Sequence, residues 1–551
     1  MYILGLSAMS HDSAAALLKD GGIVAAIEEG KLARTRTIGG IPRAAIQFCL
    51  EHAGIGWRDV AQVAIASRPP DSRKASRKIG GESNDAHTLR QMSGLPAKRF
   101  QTFDHHLCHA SSAFFASPFE RALIVTMDET GDGRAGLVAI GKGGELRARE
   151  SIRLPQSLAW IYSQFTQLLG FRPHSDEHKT QWLSLTGEPE FAGFLVEILR
   201  RAPGGPPHLN PKYFRRKPAP ELCFTRDFFR ELGIAGNTKQ PIPELPETTR
   251  ANLASSLQNA FSTVLCEWLE GLREKSKEQS LCLAGGLFLN PLLVGAIEAN
   301  TRFDHVFVQP AAGNEGTALG AAWLAWHENS NRPLERSVSL PSWGPSYSNA
   351  QIKLVLDNCK ANYRWLDSED MQIAETLRLL ANGKIVAFFQ GATEFGPRAL
   401  GDRSLLASPW APYIKENLND FVKHRESFRP FALAIPEEDS SRFFSVSSNA
   451  RFLTTMAKAN EAGQQLLRDL PDGFLLPNNL VRLQVVRETD NPLFWKLLKR
   501  SGENAPAPIL VNTSFNLFGE PLVVTPRDAV RSYFCSGTDA LVAGNFLLEK
   551  H

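Results

Sequence analysis

Three observations predict an α/β fold in two domains. The apolar stretch "SLCLAGG" (280–286) reads as a buried strand that turns at Gly285-Gly286 into a helix starting near Asn290-Pro291. A second short strand, Ala122–Met127, delivers Asp128 and the glycine-rich "ETGDG" at its C-terminal end, where α/β sheets hold their ligands. The length, 551 residues, exceeds the size at which one core usually keeps growing.

Taken in chain order, the opening "YILGL", "SAAALLKD" and "GIVAAIEEG" reads as a strand followed by a β-hairpin, with Asp20-Gly21-Gly22 as the tight turn. From Arg250 to Leu272 the residues Leu253, Leu257, Phe261, Val264, Leu265, Trp268 and Leu272 keep helical spacing and predict an amphipathic helix. Two Pro-rich stretches, 202–211 and 239–247, read as surface excursions, because proline is excluded from element interiors. The stretch "SLPSWGPSYSN" (339–349) follows the apolar helix "GTALGAAWLAW" and marks the boundary, so the chain is cut near 345 into domains 1–345 and 346–551. Beyond it, Ile373, Leu377 and Leu380 predict a helix ended by Asn382-Gly383, followed by the strand "KIVAFF". No internal repeat stands out.

Composition narrows the function. Lys and Arg total 61 against 58 Asp and Glu, a formal charge of +3 with no block of like charge, which argues against a nucleic-acid partner and for small molecules. No stretch reaches the roughly 18 to 20 apolar residues that span a bilayer, and the N-terminus lacks a signal-peptide pattern, so no membrane partner and a cytoplasmic location are expected. The seven cysteines are scattered and never in CxxC, as expected of reduced thiols. A homodimer is left open.

"FDHHLCHASSAFF" (103–115) raises the first chemical question. On a helix His105 and His109 lie four apart and His106 and His109 three apart, so either pair could close on one metal ion, or the three could simply cap a core helix. A ferrous or zinc site adds a carboxylate, and Asp128 at the end of the next strand is placed to supply it.

Several stretches together resemble one family: "HDSAAAL", "DHHLCHASSAFF", "LGFRPHSDEHK", "LAGGLFLN", "PAAGNEGTALGAA", "EFGPRALGDRSLLASP", "KHRESFRPFA", "LVRLQVV" and "LVNTSFNLFGEPLV". They resemble the ATP-dependent O-carbamoyltransferases of antibiotic and nodulation-factor biosynthesis, including the tobramycin and cephamycin carbamoyltransferases, over nearly the whole chain. The resemblance implies an actin-like (ASKHA) N-terminal domain and a YrdC-like α/β C-terminal domain. It implies that carbamoyl phosphate and ATP, with Mg2+, give carbamoyl-AMP in the second domain, and that the first passes the carbamoyl to a hydroxyl of a small secondary metabolite. It further implies that His105, His109 and Asp128 hold a divalent metal, Fe2+ first, with His106 structural. The family's last ligand is an aspartate in a "PAAGD" turn, and here that position is Asn314. A neutral amide is a weak ligand for a transition metal. Asn314 binding through its oxygen, substitution by Glu315, or loose or lost metal are the outcomes, with a weakened site expected.

Joining two anions into a mixed anhydride needs several cations, which Arg398, Lys423, Arg425, Arg429 and Arg482 could supply. By resemblance Arg398, Lys423, Arg429, Arg482 and Ser514 contact carbamoyl phosphate or nucleotide, and Asn512, with Ser514, ends an apolar strand where an amide could orient the carbamoyl group. Arg398, Lys423 and Ser514 are the catalytic candidates of this part; His11 and Asp12, after the first strand, are the base candidates for transfer. The turns holding Gly131, Gly133, Gly285 and Gly286 suit close approach of backbone to nucleotide. Arg34 and Arg36 in "EEGKLARTRT" and Lys179 in "DEHKTQ" match basic family positions that would hold the anhydride, or else form a solvated loop. Trp182 is expected in the core. An amine acceptor, or a non-catalytic ATP-binding regulator of the actin-like fold, are the competing readings.

Overall fold

The computed structural model describes all residues except 9–10, 37–38, 67–83, 216–221, 235–244, 331–338, 472 and 551. Much of the Pro-rich stretch 239–247 therefore lies outside the described residues. The chain divides into two compact units, Met1–Phe103 with Asn314–His551, and Asp104–Gly313. This grouping by packing differs from the cut near 345 expected from the stretch 339–349.

In the first unit β1 (Tyr2–Ser7), β2 (Ala14–Lys19), β3 (Gly22–Glu28), β4 (Val60–Ala66) and β5 (Phe100–Phe103) form a sheet in the order β3-β2-β1-β4-β5. The hairpin lies where the sequence predicts it: Lys19 pairs with Gly22, and Asp20 (φ 51°) and Gly21 (φ 88°) make the two-residue turn. Positive φ at both positions matches the right-handed strand twist, which is why Asp-Gly serves there. β1 pairs with β2 antiparallel and with β4 parallel, and β4 with β5 parallel. Both faces of β1 and β2 are apolar and covered. On one side Leu4, Leu6, Ala15, Leu17 and Ile27 pack with Ile46 and Cys49 of the helix Arg43–His52. On the other the helix Gly316–Asn329 comes so near that a Cβ at Gly5 would lie 2.0 Å from the carbonyl oxygen of Ala318.

The second unit repeats this plan. β6 (Arg121–Gly131), β7 (Arg134–Lys142), β8 (Glu145–Arg153), β9 (Ser280–Ala284) and β10 (His305–Val308) run in the order β10-β9-β6-β7-β8. Again a central strand has two antiparallel neighbours on one side and two parallel ones on the other. Two copies of one five-stranded topology are the duplicated core of an actin-like fold, a repeat of strand direction that residue identities do not display. β6 is longer than the predicted Ala122–Met127: its register shifts after Met127 and pairing resumes at Gly131 with Arg134. Asp128 thus sits in an irregularity of the strand rather than beyond its end. The predicted amphipathic helix is Glu247–Ser276.

The rest of the first unit is a second α/β assembly. β11 (Arg364–Trp365), β12 (Val386–Phe389), β13 (Arg403–Ala407), β14 (Ala432–Pro436), β18 (Leu483–Val486), β19 (Leu510–Ser514), β20 (Ala540–Ala543) and β21 (Phe546–Glu549) form a mixed sheet ordered β11-β21-β20-β12-β13-β19-β14-β18. β15 (Phe444–Ser445), β16 (Ala457–Ala459) and β17 (Leu480–Val481) make a small three-stranded sheet. Strand alternation divides the apolar residues into two layers, Phe389, Leu405, Leu433 and Val511 in one and Phe388, Leu406, Ala434 and Leu510 in the other. The second layer is covered by Ile373 and Leu380 of the helix Glu369–Ala381 and by Phe494, Leu497 and Leu498 of the helix Pro492–Ser501. The expected α/β class is the fold of this chain, with the duplicated actin-like sheets and a mixed α/β assembly beside them in sequence. All seven cysteines are free thiols, and among the described residues no helix is long and apolar enough to cross a membrane.

Candidate functional site

Arg398, Lys423, Arg425, Arg429 and Arg482 converge within the C-terminal assembly. Arg398 belongs to the turn between β12 and β13. That turn is wound around the Glu394 carboxylate, whose Oε1 accepts the backbone N–H groups of Leu400 (2.8 Å), Asp402 (3.1 Å) and Arg403 (3.2 Å). Gly396 stands at φ 104°, a conformation that favours glycine. Lys423 ends a π-helical segment, Asn417–Lys423, of a kind frequent at functional sites. Its ammonium donates to Asn516 Oδ1 (2.8 Å) and to the Ser514 carbonyl oxygen, while Ser514 Oγ donates to Asn516 Oδ1 (2.8 Å). Arg482 joins β17 to β18. Arg425 donates to Asn419 Oδ1 (2.9 Å) and lies 4.1 Å from the centre of the Phe431 ring. Asn512 is turned inward: its Nδ2 donates to Gln484 Oε1 (2.6 Å), and Gln484 in turn donates to the Leu400 carbonyl (2.8 Å).

These cations destabilise one another. Burial and then Arg429 bring Arg398 down to about 10. Burial and then Arg429 bring Arg425 to about 9. Arg482 is pushed well below its ordinary value by burial and by Arg398, Arg425 and Arg429. Lys423 is lowered by burial, then by Arg425, Arg36 and Arg429. Buried charges of one sign are costly unless an opposite charge joins them, and Glu426 Oε2, 3.6 Å from Arg429, supplies one such charge.

In the second unit, the helix His105–Ala116 is capped by Asp104, which accepts from the Leu107 N–H (3.0 Å). One turn of this helix puts His105 Nε2 at 3.1 Å and His109 Nε2 at 3.3 Å from Asp128 Oδ2, all buried. A Cβ at Gly131 would lie 1.9 Å from His105 Cδ2, so glycine there lets the ring lie against the strand. Burial would raise Asp128, but the hydrogen bonds from His105 and His109 outweigh it and hold the carboxyl well below its ordinary range. Burial keeps His109 below its usual value. His106 faces elsewhere, with Nδ1 3.1 Å from Thr126 Oγ1 and Nε2 3.2 Å from the Arg134 carbonyl, and burial lowers it to about 3. His105, His109 and Asp128 fit a divalent ion: an anionic carboxylate and two imidazoles have ligand atoms within 4.8 Å of one another. Bonds of about 2.0–2.1 Å at tetrahedral angles require ligand separations of about 3.3 Å.

The remaining predicted residues are dispersed. Asn314 belongs to the first unit, where its Nδ2 lies 3.3 Å from His11 Nδ1. His11 Nδ1 is 2.7 Å from Asp12 Oδ2, and both side chains are half exposed. Burial, then the charges of Asp12 and Glu28, raise Glu315 to about 8. Gly133 follows Asp132 in the β6–β7 turn; a Cβ at Gly285 (φ 100°) would strike the Met127 carbonyl at 2.1 Å, and one at Gly286 would approach Asp128 Oδ1 at 3.1 Å. These glycines therefore crowd the Asp128 strand. Lys179 pairs with Asp176 (3.3 Å), and Trp182 is in the core. Arg34 does not lie in a solvated loop: it pairs with Glu520 (2.8 Å) and donates to the Pro521 and Leu522 carbonyls. Arg36 donates to the Glu520 carbonyl (3.1 Å), which also accepts from Asn516 (2.7 Å). Sequence reasoning missed Glu394, Gln484, Glu28 and Lys31. Glu394 stood inside the quoted "EFGPRALG", its acidity the available signal; Gln484 carried none.

The model of the carbamoyltransferase N-terminus matches residues 2–80 and 81–323, and that of the carbamoyltransferase C-terminus matches 377–550. The chain is 32% identical to an uncharacterized protein, sll1178, of Synechocystis, covering 100% of this chain and 97% of that protein. It is 31% identical to the nodulation protein NolNO of Sinorhizobium fredii over 98% of this chain and 79% of that one, and 33% identical to the nodulation protein NolO of Bradyrhizobium diazoefficiens over 81% and 79%. Among solved structures, HypF of T. kodakarensis aligns with a TM-score of 0.33 and 14% identity over 60% of this chain and 47% of that one. With both terminal models matched in order along one chain, this protein belongs to the carbamoyltransferase family and is a carbamoyltransferase enzyme.

Proposed function

We propose that the protein activates carbamoyl phosphate with ATP as carbamoyl-AMP and transfers the carbamoyl group to a hydroxyl of a small natural-product acceptor. The observation that carries this reading is the convergence of Arg398, Lys423, Arg425, Arg429 and Arg482, among which Arg398, Lys423, Arg425 and Arg482 are each lowered by burial and by neighbouring arginines. Carbamoyl phosphate and a nucleotide triphosphate repel each other on approach, and such a cluster offsets that repulsion. Arginine forks suit the phosphate oxygens, and Lys423 follows the moving charge. The atoms balance with one water consumed: carbamoyl phosphate gives carbamate and phosphate, and a carbamate oxygen attacks the α-phosphorus and expels pyrophosphate. A regulator without chemistry has no need of five convergent basic side chains.

Residues 346–551 carry the activation and 1–345 the transfer. In transfer the acceptor oxygen bonds to the carbamoyl carbon, AMP leaves, and the hydroxyl proton passes to a base, for which the His11–Asp12 pair is suited. His105, His109 and Asp128 would hold a divalent metal, whose Lewis acidity would polarise an oxygen of the reacting pair. Mg2+ would accompany ATP. Carbamoyl-phosphate-dependent exchange of labelled pyrophosphate into ATP tests the reading. Exchange is expected; its absence with every divalent metal tried would end it.

A further inference from the structure

We infer that Glu28 and Lys31 are positioning residues for activation: from the end of β3 they grip the backbone of the 394–396 turn and so aim Arg398. The inference rests on the reading of Arg398 as a phosphate ligand.

Lys31 is only 5% exposed, and its three donors are all engaged. Nζ donates to the Glu394 carbonyl (2.5 Å) and the Gly396 carbonyl (2.7 Å), and pairs with Glu28 Oε1 (2.9 Å). The same Glu28 oxygen accepts the Gly396 N–H (2.7 Å). The two side chains therefore hold three polar backbone groups of one turn, from residues more than 360 positions away in sequence. From inside, the Glu394 carboxylate holds the N–H groups of Leu400, Asp402 and Arg403. The carbonyl of Pro341 accepts the Phe395 N–H (2.6 Å). With Gly396 in its left-handed conformation and Pro397 restricting the next φ, little backbone freedom remains before Arg398. A buried ammonium is expensive unless fully paired, and this one is paired to backbone of the turn rather than to a second side-chain network. Phosphoryl chemistry tolerates little misplacement: a shift of about 1 Å can cost about 100-fold.

The full-length protein supplies the test, with exchange measured against carbamoyl phosphate concentration for wild type, Lys31→Met, Arg398→Lys and the double variant. Lys31→Met is expected to lower kcat for exchange about tenfold and to raise the KM for carbamoyl phosphate. Its loss and that of Arg398→Lys should combine less than multiplicatively, since both act through one guanidinium. Wild-type kcat and KM in Lys31→Met, or losses that multiply fully, overturn the inference, the second result meaning a structural clasp. If circular dichroism shows Lys31→Met unfolded, Glu28→Gln takes its place, because it keeps an acceptor for the Gly396 N–H while removing the charge. About a threefold loss with the same non-additivity is then expected, and full additivity or no loss overturns the inference. A wild-type protein without exchange sinks the activation reading itself, and this inference with it, before any variant is compared.

Discussion

The two buried polar clusters follow opposite charge rules. In the C-terminal assembly five basic side chains converge, and burial and the neighbouring arginines both act against the charge of Arg398, Lys423, Arg425 and Arg482. In the second unit, His105 and His109 donate to Asp128 and hold it as an anion. Glu426 lies 3.6 Å from Arg429 beside the first cluster, whereas the second sets two imidazoles against one carboxylate. The contrast teaches that like charges crowd in the first, whereas in the second an anionic carboxylate accepts from two imidazoles, whose Nε2 protons would have to move to Nδ1 before those nitrogens could bind a metal.

The contrast breaks most sharply at Arg398. Arg398→Ala is expected to abolish pyrophosphate exchange, a loss of about 10²–10³-fold or more, read in the isotope assay. His109→Ala, by comparison, should leave that exchange intact, lower bound divalent metal in elemental analysis, and cut carbamoyl transfer about 100-fold. Identical behaviour of the two variants would erase the division between activation and transfer. Arg482→Met sharpens the charge argument. Removing one of several crowded cations should raise the thermal midpoint of the ligand-free protein by about 2 °C while lowering exchange about tenfold, and a fall in the midpoint contradicts repulsion within the cluster. The smallest effect concerns Asp402, beside the Arg398 turn, where burial and then Glu394 raise the carboxyl to about 7. A carboxyl raised in the folded state stabilises fully below about 3.8 and loses that contribution as pH climbs through about 7. Wild type should therefore lose more thermal stability between pH 4 and 7 than Asp402→Asn does, and equal slopes would contradict the shift.

What the sequence discloses here is mostly local. Asp20-Gly21 is legible as a hairpin turn because two adjacent residues with positive φ suffice to define it. His105 and His109 are legible as neighbours because one helical turn brings them together, and Asp128 because a short apolar strand delivers it. The register shift after Met127 is hidden, since it is set by pairing with β7 rather than by β6 itself. The grip of Glu28 and Lys31 on the Arg398 turn is invisible for the same reason. It joins segments with no shared period, and "EEGKLARTRT" reads equally well as a solvated basic stretch. The placement of residues 1–103 with 314–551 depends on surfaces that match only once both are folded.

The matched strand orders of the two five-stranded sheets have a last consequence. In the first, residues 8–13 join the central strand to its antiparallel neighbour, room enough to display His11 and Asp12; in the second, Asp132 and Gly133 alone make that connection. The short reversal commits its carboxylate, Asp132, to the His105 backbone N–H (2.9 Å), and the second copy presents Asp128 from an irregular stretch of strand instead. One frame thus carries different polar groups in its two copies, set by the length of a single strand connection.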